Sequence, residues 1–214
     1  MLGCVLEHDT PEGRVAVELT EVEAYAGEID PASHAYRGKT SRNAVMYGPP
    51  GHAYVYFTYG MHFCMNVVCM PEGTASAVLL RAGRVIAGED LAGRRRATRR
   101  TAPGEVRGRG LPARELARGP ARLCQALAIN RIQNGWDLCV PESPLRLGRA
   151  DSGARPSAEV TISVGPRVGV TAGADTGWRF WLANDPTVSA YRPHKGRSPR
   201  SPRPRGSETS RPRA

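Results

Sequence analysis

Residues 14–25 read Arg-Val-Ala-Val-Glu-Leu-Thr-Glu-Val-Glu-Ala-Tyr. Apolar residues recur at every second position, the period of a strand with one buried face. Val15, Val17 and Leu19 share that face, and unbroken parity carries it on through Glu21, Glu23 and Tyr25. An apolar face that ends in two carboxylates aims them at the interior or at a cleft. A bulge near Thr20 would cancel that inference.

Reading outward, residues 2–8 (LGCVLEH) form a second strand, and Asp9–Gly13 supply the turn between the two. Residues 26–52 are rich in Gly, Pro, Ser and Asn and read as loops. Residues 53–59 (AYVYFTY) and 63–69 (FCMNVVC) are two further strands. They join through Gly60, Met61 and His62 as a β-hairpin. Residues 76–81 (SAVLLR) add another strand. The start of the arginine-rich stretch 82–118 reads as helical, until Pro103, Gly104, Gly108 and Gly110 break it. Gly119-Pro120 opens a helix over residues 121–129, with proline at a tolerated first-turn position. Short strands follow near 159–164, 167–170 and 178–183. The elements are mixed and not alternating βαβ, so the expectation is α+β: a single compact domain with a mostly antiparallel sheet and a protruding hairpin.

The 214 residues suffice for one domain with a sizeable core, placed at residues 1–191. Residues 192–214 are Arg, Pro, Ser and Gly with almost nothing apolar, a composition that predicts a disordered basic tail. The net charge of +10 favours a polyanionic partner through counterion release, unless the tail or a general enrichment in arginine accounts for it. The five cysteines have no zinc-site spacing, and Cys64, Cys69 and Cys124 lie in apolar runs as reduced core thiols. No signal peptide or membrane-spanning run is legible. The expected compartment is intracellular and reducing, which in a bacterium means the cytoplasm and its nucleoid.

Four segments carry candidate chemistry. Glu21 and Glu23 can supply a general base for a water, or be a surface acidic pair. Tyr25 fits either a stacking wall or the core. His34, in the loop Asp30-Pro-Ala-Ser-His34, is a solvated side chain or a pocket residue. The tip Tyr59-Gly60-Met61 is apolar where a hairpin tip faces water. It is therefore covered by another part of the chain, or it is a wedge of the kind that enters the minor groove between base steps. Arg81 ends an apolar strand, where it faces water or pairs with Glu21 or Glu23.

These segments together resemble the alkyladenine (3-methyladenine) DNA glycosylases of the mammalian and bacterial type. The resemblance covers residues 2–191. It rests on Glu21-Val-Glu-Ala-Tyr25, His34, Arg42-Asn43, Tyr54-Val-Tyr56, Tyr59-Gly60-Met61, Cys64-Met65-Asn66, Leu79-Leu80-Arg81, Gly119-Pro120, Leu123–Leu127 and Arg167-Val168-Gly169. It implies an α+β fold similar to the C-terminal domain of methionyl-tRNA formyltransferases. It implies a monofunctional glycosylase, without lyase activity, metal or cofactor, that flips alkylated or deaminated purines out of double-stranded DNA. The purines are of the 3-methyladenine, 7-methylguanine and hypoxanthine type.

The resemblance makes Glu23 the general base, with Arg81 and the Val168 carbonyl holding the attacking water. Tyr25 stacks on one face of the base, with His34 and Tyr56 on the other. Asn66 clashes with the amino group of normal guanine. Tyr59 fills the gap in the duplex, with Met61 beside it. The expected state is a monomer. His62 stands where the family commonly has an aromatic residue. The family also has a helix ahead of Leu2-Gly3, where this chain begins, so the expectation there is a misplaced start or a missing element. Two readings compete: a DNA-binding relative without catalysis, against which Glu23, Arg81 and Asn66 speak together, and an RNA-binding module that stacks bases on its aromatics.

Overall fold

In the computed structural model, residues 1–58, 60–97, 110–149 and 161–192 are described. Tyr59, the arginines Arg99, Arg100, Arg107 and Arg109, and the tail from Pro193 onward lie outside the described residues.

The chain opens with strands β1 (Cys4–Thr10) and β2 (Gly13–Tyr25). Thr10 pairs with Gly13 across the two-residue turn Pro11-Glu12, and Gly13 takes a φ of 126°, which suits glycine. Next come β3 (Ala53–Thr58), β4 (His62–Val68) and β5 (Ala77–Ala87). Helices α1 (Glu89–Ala97) and α2 (Pro120–Ala126) follow, then β6 (Leu145–Arg149), β7 (Ile162–Gly165) and β8 (Arg179–Leu182). The strands form one eight-stranded sheet in the order β3-β4-β5-β2-β1-β6, and β8 pairs with both β2 and β7. Every pairing among these strands is antiparallel.

The core sits where α2 and the segment before it pack on the sheet. Val15, Val17, Leu19 and Val22 of β2 meet Leu80 and Val85 of β5, together with Leu116, Leu123 and Leu127. Each such side chain contributes about 1.5–3 kcal/mol by leaving water. Gly83 lets β5 approach β2 closely: a Cβ there would lie 2.3 Å from Val17 Cγ1 and 2.5 Å from the Glu18 carbonyl oxygen.

The parity of β2 does not run unbroken. Leu19 lies opposite Gly83, Glu21 opposite Ala82 and Val22 opposite Leu80. Thr20 is thus an extra residue on β2, and Arg81 an extra residue on β5 that restores register two steps on. The consequence is a change of face. Val22 succeeds Leu19 in the core, while Glu21, Glu23 and Tyr25 turn to the opposite side of the sheet.

Other expectations are corrected. Arg81 does not close its strand, because β5 continues to Ala87 before the helix begins. Residues 167–170 form no strand, and β6 falls where none was expected. Cys64 and Cys124 are buried and free, but Cys69 is exposed beyond the end of β4. Among the described residues no helix is long and apolar enough to cross a membrane.

Candidate active site

The face to which β2 turns its carboxylates opens into a cavity of about 340 Å³. Tyr25, His34, Tyr56, Asn66, Arg81 and Val168 all line it. Strand pairing sets part of this arrangement. Asn66 lies opposite Tyr54 on one side and Leu79 on the other, and its Nδ2 donates to the Tyr54 carbonyl at 3.2 Å. His34 arrives from the loop after β2. Its Nδ1 lies 2.9 Å from the Tyr54 hydroxyl, and its ring stands edge-on to Tyr56, with centroids 4.5 Å apart. Burial, aided by Arg42, lowers the His34 pKa below 6.5.

Glu23 lies behind this wall and is fully buried. Its Oε1 accepts from the Val168 amide at 2.7 Å and lies 3.3 Å from an Arg81 terminal nitrogen. Its Oε2 accepts from the Tyr25 hydroxyl at 2.9 Å. Burial and the neighbouring Glu23 carboxylate push the Tyr25 phenol well above its ordinary pKa, so it remains a donor. Arg81 is buried beside both acids. Burial alone would lower its pKa, but Glu23 and Glu21 outweigh that and raise it.

A second buried ion pair holds the cavity's loops together. Arg167 and Asp30 are bound through two hydrogen bonds, of 2.5 and 2.8 Å. Arg167 also donates to the carbonyls of Ala24 and Gly173, at 3.0 and 3.3 Å. Its guanidinium lies 4.7 Å from the centre of the Tyr25 ring. One side chain thus ties the end of β2, the His34 loop and the Val168 loop to one another. Neither residue's role was foreseen, and nor were those of Arg179 and Ser189, both of which bond to Glu21. The sequence signals were the motif Arg167-Val168-Gly169, read without a role for the arginine, and Asp30-Pro31, where Asp30 Oδ1 accepts from the Ala32 amide at 3.0 Å in a side-chain turn.

The structure therefore brings Glu23, Tyr25, Arg81 and Val168 into direct contact and sets His34, Tyr56 and Asn66 around the same space. Met61 is apart from them, 56 % exposed beside β4. Among the described residues no group of three or more His, Cys, Asp or Glu is placed to hold a metal ion.

Residues 1–186 match the family model described as methylpurine-DNA glycosylase. The chain belongs to the methylpurine-DNA glycosylase family. Its relatives include a protein of Streptomyces avermitilis, 52 % identical over 94 % of this chain and 88 % of that one. One from Leifsonia xyli is 50 % identical over 91 % of this chain and 86 % of the other. Burkholderia lata supplies a third, at 48 % identity over 83 % and 78 %. All three carry the name "Putative 3-methyladenine DNA glycosylase". As a methylpurine-DNA glycosylase family member, the chain is a hydrolase of N-glycosidic bonds in DNA. A buried carboxylate beside a base-sized aromatic cavity suits that reaction class.

Proposed function

We propose that this glycosylase flips a damaged purine out of double-stranded DNA into the 340 Å³ cavity and hydrolyses its bond to C1′ with a water activated by Glu23. The observation that carries this reading is the Glu23 carboxylate, buried directly behind the cavity wall and fixed by the Val168 amide, Arg81 and the Tyr25 hydroxyl. In the reaction the water oxygen bonds to C1′, the C1′–N bond breaks and its electron pair leaves with the purine. Glu23 takes the water's proton. Arg81 and the Val168 carbonyl orient the water.

Tyr25 stacks on one face of the flipped base, with His34 and Tyr56 on the other. Electron-rich rings favour a cationic alkylated purine by about 1–2 kcal/mol when desolvated. Neutral hypoxanthine needs protonation to leave. Flipping costs roughly a few kcal/mol, and less at a damaged pair, which adds selectivity. Asn66 excludes guanine by its clash with the exocyclic amino group. Tyr59 fills the gap in the duplex with Met61 beside it. No lysine serves as a Schiff-base nucleophile, so no strand cleavage follows base release. The enzyme acts as a monomer.

The test is a duplex oligonucleotide with one hypoxanthine, incubated with enzyme and then treated with alkali. Strand cleavage at the lesion is expected with the wild type. Glu23→Gln is expected to abolish it while lesion binding stays largely intact. Unchanged single-turnover excision by the variant would overturn the assignment of the base.

A further inference from the structure

The proposed chemistry leaves one acid of the site unused. Glu21 is wholly buried, and a carboxylate taken out of water is costly unless it is fully partnered. Its partners are complete. Oε1 accepts from Arg81 Nε at 2.8 Å, from Arg179 Nε at 2.7 Å and from the Ser189 hydroxyl at 2.9 Å. Oε2 accepts from the Ser189 amide at 2.7 Å. Burial pushes the Glu21 pKa up, but Arg81, the Ser189 amide and Arg179 together bring it below its ordinary value.

The same Arg81 faces Glu23 with its Nη1, at 3.3 Å. A guanidinium is planar and rigid, so pinning Nε on one carboxylate fixes where Nη1 points. Ser189 lies on the segment after β8, and that segment is itself tied down. The Thr187 hydroxyl meets that of Thr20, the bulge residue, at 2.7 Å. Arg118 donates to the Val188 carbonyl at 2.9 Å, and Arg179 to the Ser189 carbonyl at 2.8 Å. Ser189 Oγ also accepts from Arg81 Nη2, at 3.3 Å. Two carboxylates and two guanidiniums thus balance in one buried network, with a stretch of chain more than 160 residues from Glu21 closing it.

We infer that Glu21 is a positioning residue of the reaction: it holds the Arg81 guanidinium against Glu23, and the segment Asp185–Ser189 holds Glu21. The inference rests on the reading of Glu23 as the base. It predicts an effect on rate, whereas a purely structural ion pair affects only how much enzyme is folded.

Single-turnover excision from the hypoxanthine duplex at saturating enzyme separates the two. The rate constant reports the site, and the amplitude reports the competent fraction. Glu21→Gln is expected to lower the rate constant about tenfold or more, with amplitude and lesion-duplex affinity within about twofold of wild type. Because Glu21 acts through Arg81, adding Glu21→Gln to Arg81→Met is expected to cost less than about twofold further. A wild-type rate constant for Glu21→Gln, with or without reduced amplitude, would overturn the inference. So would full additivity in the double variant. If Glu21→Gln does not fold, Ser189→Ala decides. It removes the hydroxyl contacts and keeps the amide, and is expected to slow excision by about three- to tenfold. A wild-type rate constant for Ser189→Ala would then overturn the proposal. Glu23→Gln measured alongside separates the two readings. If it excises at the wild-type rate, the assignment of the base falls; if it is inactive while Glu21→Gln is unimpaired, only the role of Glu21 falls.

Discussion

Asn66 meets the cavity from the middle of β4, its amide nitrogen committed to the Tyr54 carbonyl. That bond fixes the side chain's orientation and makes it a rigid obstacle, which is what exclusion by shape requires. Asn66→Gly is expected to raise the release of normal guanine from undamaged DNA by about tenfold while lesion excision persists. Guanine release that stays at background would assign the selectivity to another residue. At this scale the residue types of the site were readable from the chain, because carboxylates, aromatics and an arginine in apolar strands are conspicuous. Their pairings were readable only in part. Arg81 was expected to meet Glu21 or Glu23, and it meets both. The Arg167–Asp30 pair joins residues 137 apart in sequence, and no local pattern encodes a contact at that distance.

Among the elements, alternation made β1, β2, β3 and β4 legible, and Gly119-Pro120 marked the start of α2. β5 was cut short because Arg81-Ala-Gly-Arg84 looks like a polar break. In the fold Arg81 is buried in the ion network, and Gly83 is a point of close approach to β2. The five residues of β6 follow a Pro-rich turn and alternate leucine with arginine or glycine, too short a pattern to stand out. Residues 167–170 carry the valines of a strand, but the side chain of Arg167 fixes them, not a ladder. Gly83 offers a direct test of the β2–β5 contact. Gly83→Ala places a Cβ against Val17 and the Glu18 backbone and is expected to destabilise the fold by about 1–3 kcal/mol. Thermal unfolding reads this out, and an unchanged melting temperature would show that the strands can separate at no cost.

At the scale of the whole molecule, charge is unevenly distributed along the chain. Residues 192–214 hold eight bases against the single acid Glu208, most of the net +10. The residues proposed to hold the base and the water all precede Val170, and the cavity lining ends at Thr171, so the tail's expected contribution is to phosphate binding and not to readout. Deleting residues 192–214 is expected to weaken binding to damaged and undamaged duplex alike. Each phosphate that the shortened chain leaves unneutralised should flatten the salt dependence by about 0.9 in log–log slope. The saturated excision rate should stay nearly constant. An identical salt slope with and without the tail would mean that it touches no phosphate.

β2 has a further property that matters before the enzyme is finished. On the edge away from β5, its first half pairs with β1 and its second half, Glu21 to Glu23, pairs with β8. A ribosome delivers β1 to β5 long before residues 179–182 emerge. A sheet formed from those strands alone would leave β2 with a short open edge at Glu21 to Glu23. Open edges recruit other chains, and charges set along them oppose such pairing. Glu21 and Glu23 place two carboxylates on this stretch, and such charges disfavour pairing with another chain until β8 covers it.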